Sequence, residues 1–66
     1  MIKMKQLSKS ERKIFMYAYL NGYFNVPKKI NMPDIAKKFG ISTAYVCICI
    51  RKGTIFYLDM IFKSYE

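Results

Sequence analysis

Residues 35–50 read Ile35-Ala36-Lys37-Lys38-Phe39-Gly40-Ile41-Ser42-Thr43-Ala44-Tyr45-Val46-Cys47-Ile48-Cys49-Ile50, and their spacing decides the fold. Two helices that meet at a sharp turn need a small residue at their closest approach, and Ala36 stands there. Four residues on, Gly40 can take the left-handed conformation that ends a helix. Ile41 follows at once as an apolar anchor. Val46, five residues further, and Cys49, three beyond it, continue the inward stripe, while Ile35 and Phe39 fill the core positions of the first helix. Any αα-hairpin with a Gly turn shares part of this pattern.

The flanks set the boundaries. Asn31 suits an N-cap and Pro33 and Asp34 suit a first helical turn, so one helix is expected over about 32–39. Ser42 caps the next from Thr43 onward. Upstream, Ser8 and Glu11 have capping-box spacing. Ile14, Phe15, Ala18 and Tyr19 then form a helical stripe, and Asn21-Gly22 ends that helix, expected over about 9–21. Between them, residues 23–30 form a connector in which Pro27 biases Val26 toward extended backbone and Tyr23 and Phe24 fold back as apolar anchors.

Beyond Ile50 the pattern is less regular. Arg51-Lys52-Gly53 interrupts the stripe, and residues 54–62 are apolar nearly all round apart from Asp59. A helix kinked or restarted at Gly53 is one reading. The β propensity of Thr-Ile-Phe-Tyr-Leu supports a strand as the other, but no hairpin turn signal supplies a partner strand, which favours the helix. The expected fold is all-α: a three-helix helix-turn-helix domain spanning 1–66, with the motif over 32–52, a C-terminal helical extension over 54–66, and no wing.

Composition narrows the function. The 66 residues carry 12 Lys plus Arg against 4 Asp plus Glu, a net charge of +8, with six Tyr and five Phe. A basic chain that is also aromatic and 53% apolar reads as a folded domain facing a polyanion. With two Cys and no His it lacks four N/S ligands for a zinc site. The four acids are scattered, and no nucleophile and base pair up, which disfavours an enzyme. No cofactor, metal or small-molecule ligand is expected. No stretch has the length of a membrane span or the form of a secretory signal, so the protein is expected in the cytoplasm, with reduced thiols. On a helix, Cys47 and Cys49, two apart, point away from each other and cannot bridge within one chain; both are expected as small buried hydrophobes, with an intermolecular disulfide as the alternative. Phe, Tyr, Met, Ile, Asn and Lys make up 38 of the 66 residues; their codons are AT-rich, an expectation about an archaeal or viral source rather than about physics.

The chain also carries Leu7-Ser8, Ala18-Tyr19-Leu20-Asn21-Gly22-Tyr23-Phe24-Asn25-Val26-Pro27-Lys28, the turn Ile35-Ala36-Lys37-Lys38-Phe39-Gly40-Ile41-Ser42, and Ile50-Arg51-Lys52. In these it resembles the helix-turn-helix domains of the bacterio-opsin activator type found in archaeal regulators. Those domains open with Leu-Thr, carry Ala-Tyr-x-x-Gly-Tyr-Phe-Asp-x-Pro-Arg, and go on to a Leu-Ala-x-x-Leu-Gly-Ile-Ser turn and a Leu-Arg-Arg segment. The resemblance covers about residues 7–58 and implies duplex DNA binding and transcriptional regulation. Family members have polar residues mid-helix where this chain has Cys47-Ile48-Cys49, and charged residues where it has Gly53-Thr54-Ile55-Phe56.

On a helix-turn-helix, the early outward residues of the third helix face base edges. Here those are Thr43, Ala44, Tyr45, Cys47, Ile48 and Arg51, of which Thr43, Tyr45 and Arg51 read hydrogen-bond patterns and Ala44 and Ile48 meet thymine methyls. Tyr45 as a packed aromatic and Ile48 as a protein contact are the competing readings. Lys28, Lys29, Lys37, Lys38, Arg12, Lys13 and Lys52 are the expected phosphate contacts. Ile55, Leu58, Ile61, Phe62 and Tyr65 are the expected homodimer contacts, with packing on the first helix as the alternative. An adaptor for a protein of the transcription machinery, docking through an apolar third helix, is the rival function.

Overall fold

The computed structural model describes residues 7–64, which form three helices: α1 (Lys9–Leu20), α2 (Met32–Phe39) and α3 (Thr43–Lys63). No strand, and so no wing, is present among the described residues. Each helix starts at the residue whose side chain can satisfy its free amides. The Ser8 hydroxyl accepts from the Glu11 amide at 3.1 Å and the Glu11 carboxylate accepts from the Ser8 amide at 3.0 Å. Asn31 and Asp34 make the same reciprocal pair at 3.3 Å each way, a second capping box with an Asp in place of the usual Glu. Ser42 caps α3 by accepting from the Tyr45 amide.

The ends are equally local. Helix α1 stops one residue before the expected boundary, with Asn21 as C-cap; Gly22, at φ +89, lets the Tyr23 amide reach back to the Ala18 carbonyl. Helix α2 stops at Gly40, at φ +67, and the Ile41 amide returns to the Ala36 carbonyl at 3.0 Å. A Cβ at Gly40 would meet nothing within 4 Å, so only the backbone conformation calls for glycine there.

Helix α3 packs on both other helices. Ile14 and Ala18 from α1, Ile35 and Ala36 from α2, and Val46, Cys49 and Ile50 from α3 form the core, with Ile35, Val46 and Cys49 fully buried. These are the apolar residues that the turn motif places inward. Helix α1 faces two neighbours at once, which redistributes its aromatics. Phe15 turns to α3, where it stacks on Tyr57 with centroids 5.4 Å apart, and Tyr17 meets Phe39 of α2 edge-on at 5.3 Å. Tyr19, expected inward, is left on the outer edge of α1 beside Phe15 and is 64% exposed. Tyr23 packs on the core, whereas Phe24 keeps a largely exposed ring leaning on Phe15.

The largest departure is at Gly53. Helix α3 runs unbroken through it for 21 residues, about 31 Å at 1.5 Å per residue. Gly53 is buried, and a Cβ built on it would overlap the Phe15 ring. The glycine is therefore a seat for an aromatic ring, and helical propensity lost locally is offset by the α1–α3 contact. The strand alternative for residues 54–62 is excluded by the same continuity. Of the two cysteines, Cys49 is fully buried and Cys47 only partly.

Candidate nucleic-acid interface

Helical geometry sorts the residues of α3 around its axis. At 100° per residue, Thr43, Ala44, Cys47, Ile48 and Arg51 fall within an arc of about 140°. Val46, Cys49, Ile50 and Gly53, the buried residues of α3, occupy the opposite side. The structure therefore brings five of the six base-contact candidates onto one outward face. Thr43, Ala44, Ile48 and Arg51 are exposed there, and Cys47 is half-buried. Tyr45 lies off this arc and packs against the core, in keeping with the packed-aromatic reading.

Exposed basic side chains lie on all three segments before α3. Lys37 and Lys38 lie exposed in the last turn of α2, directly before the Gly40 turn. Lys28 and Lys29 are exposed at the end of the connector, and Arg12 and Lys13 on α1. Two of these ammonium groups rest over aromatic faces, Lys28 over Tyr23 at 4.7 Å and Lys38 over Tyr17 at 5.7 Å from the ring centroid. Such contacts restrain a flexible side chain while leaving its charge available.

Lys52 is different. Its ammonium donates to the second carboxylate oxygen of Glu11 at 2.7 Å, across 41 residues of sequence. Glu11 thus caps α1 with one oxygen and ties α3 to α1 with the other. The Lys52 hydrogen bond, then the Ser8 amide, hold the Glu11 carboxyl below its ordinary 4.5, and the same bond raises Lys52 above its ordinary 10.5. From the sequence Glu11 reads as a capping residue alone, because nothing local links positions 11 and 52. Among the described residues the other ion pair is Lys63 with Asp59 at 3.5 Å, one turn apart on α3. Lys52 thus stands apart from the other phosphate candidates in being already paired.

Burial pushes the Cys49 thiol above its ordinary 9.0, partly offset by Tyr45. It stays protonated at neutral pH and is a poor nucleophile. Among the described residues no three His, Cys, Asp or Glu side chains gather as metal ligands do, and no helix is long and apolar enough to cross a membrane. The homodimer candidates Ile55, Leu58, Ile61 and Phe62 are all about half-exposed or more; Tyr65 lies outside the described residues.

A family model described as HTH DNA binding domain, of the bacterio-opsin activator type, matches residues 5–53. The match takes in all of α1, the connector, α2, the turn and the half of α3 that carries the base-contact candidates, and it ends at Gly53. No curated protein and no solved structure matches the chain.

Proposed function

The chain belongs to the bacterio-opsin activator-type helix-turn-helix DNA-binding domain family, and from that premise we propose that it is a transcription regulator that binds duplex DNA with α3 in the major groove. The observation that carries this reading is the arc of Thr43, Ala44, Cys47, Ile48 and Arg51, turned away from the core on a helix braced by a capped and glycine-ended α2. An arc with one guanidinium and three small or apolar side chains offers few bidentate contacts. Base readout then leans on thymine methyls and on Arg51, with an AT preference. Ten of the twelve basic residues are Lys, which suits phosphate attraction more than base reading. Arg12, Lys13, Lys28, Lys29, Lys37, Lys38 and, if it leaves Glu11, Lys52 supply that attraction. A module this small gains site selection by acting in pairs on a two-fold site.

Gel shift on duplex DNA tests the reading. With about five phosphates neutralised per chain, log K falls against log salt with a slope near −4 to −5. Lys37→Glu/Lys38→Glu together flatten that slope and weaken binding to every sequence alike, whereas Arg51→Ala relaxes sequence preference. Absence of salt-sensitive binding to any duplex rejects the proposal.

One observation favours a second reading. Ile48 is 49% exposed at the edge of the outward face, where it would equally suit an adaptor docking on a protein of the transcription machinery. Capture of such a protein that survives Lys37→Glu/Lys38→Glu but is lost in Ile48→Ser would support the adaptor.

A further inference from the structure

The family match ends at Gly53, and the last part of α3 carries features that DNA binding does not use. Beyond Gly53 the outward face of α3 continues without a twist. Ile55, Leu58, Ile61 and Phe62 fall on the same 140° arc as the base-contact candidates, and all four are exposed, by 46–61%. On one side this apolar ridge borders a groove of about 420 Å³ between α1 and α3, floored by Phe15 and Tyr57 and walled by Met16 and Tyr19. An adjoining hollow shares Phe15, Tyr19 and Tyr57 and reaches Leu58. Ridge and groove are therefore one continuous surface drawn from two helices.

We propose that this surface is the contact between two copies of the chain, the C-terminal ridge of α3 in each copy packing into the α1–α3 groove of the other. The area supports a second copy. An aromatic side chain buries about 150–250 Å² when fully covered and the large aliphatic ones somewhat less, so the exposed parts of Tyr19, Phe62, Met16, Ile55, Leu58 and Ile61 together offer on the order of 600 Å² per copy. Two copies reach about 1,200 Å², where specific interfaces begin, and one copy alone exposes as much contiguous apolar surface as monomers tolerate. Charge supports it too. The described residues from Gly53 on carry only Asp59 and Lys63, which pair with each other. In a chain of +8 the ridge is the near-neutral part, so it adds little repulsion between two copies. A ridge and a groove on the same chain also satisfy the self-complementarity of a two-fold contact.

The use of this pairing on a two-fold DNA site rests on the regulator reading; the pairing itself does not. Sedimentation of the full chain without DNA, at concentrations from about 1 to 100 μM, is the test, with DNA affinity measured separately. The unaltered chain sediments as a dimer of 7.8 kDa subunits. Phe62→Glu on the ridge and Tyr19→Glu in the groove each weaken it by roughly thirtyfold, the change expected of a central contact. Both side chains are more than 60% exposed, and unchanged helicity by circular dichroism shows that the variants fold. A monomer throughout the range overturns the proposal, even if DNA still binds. A dimer broken by Phe62→Glu but indifferent to Tyr19→Glu also overturns it, because the groove then takes no part. A dimer sensitive to both variants supports it, even if no duplex is bound, in which case the regulator reading alone fails.

Discussion

The two halves of α3 are one unbroken helix with opposite dependence on the rest of the molecule. Residues 43–53 bury Val46, Cys49, Ile50 and Gly53 against α1 and α2 and are latched by Lys52 to the start of α1. Among the described residues, 54–63 bury no side chain fully; Tyr57 stacks on Phe15, and their own ion pair lies within the helix. The first half is held by fully buried side chains and a long-range ion pair, while among the described residues the second is only partly covered, with Tyr57 stacked on Phe15. Helicity alone therefore says little about where stability resides. The same backbone geometry is a core element up to Gly53 and an apolar projection after it.

Substitutions on the two halves sharpen this contrast when stability is measured by denaturant unfolding. Ile50→Ala, at a position 7% exposed, should cost about 2–5 kcal/mol, because the cavity cannot collapse between three helices. Gly53→Ala should cost about 1–3 kcal/mol. Its direction is the informative part: at an unconstrained helical site the same change stabilises by about 1 kcal/mol. A gain at Gly53 would show that Phe15 moves aside freely and that the border between the halves is weaker than its packing implies.

Acid should come next in effect, and only through the first half. Glu11 titrates below its ordinary 4.5 in the folded chain. Between its folded value and 4.5, the unfolded chain binds more protons, so stability rises with pH through that window and is fully present above it. Falling pH protonates Glu11, releases Lys52 and loosens α3 from α1. Glu11→Gln should flatten this acid limb in thermal melts between about pH 2 and 5. At the small end, Met60→Ala, 58% exposed, should change monomer stability by no more than about 0.5 kcal/mol. A large loss there would mean that the second half is held as firmly as the first.

The parts legible in the sequence are those governed by neighbours in the chain. Ser8, Asn31 and Ser42 cap their helices, and Gly22 and Gly40 end them, because a cap joins groups three to five residues apart. Ile35, Ala36, Val46 and Cys49 were legible as core because the turn fixes their spacing. The outward arc of the candidate site follows from the same register, since a residue three to four places from a buried one shares its side and the rest look out. Three features were not legible. Gly53 read as an interruption, because local propensity disfavours glycine and the Phe15 ring that wants its space is 38 residues away. Tyr19 read as inward because an α1 stripe could not show that two different helices would flank it. Glu11 read as a cap and Lys52 as a phosphate contact, because only folding sets them 2.7 Å apart.

By itself, then, the sequence determined the order of the three helices, the limits of α1 and α2 to within a residue, the start of α3, the turn between α2 and α3, and the excess positive charge. Each of those follows from hydrogen bonds, backbone preferences and charges acting within a few residues. The tertiary structure alone decided that α3 continues unbroken past Gly53, that Lys52 is paired with Glu11, and that the part of α3 around Tyr57 meets α1 in an aromatic groove. Those outcomes depend on side chains competing for the same space from distant positions, and the competition is settled only once α1 packs against α3.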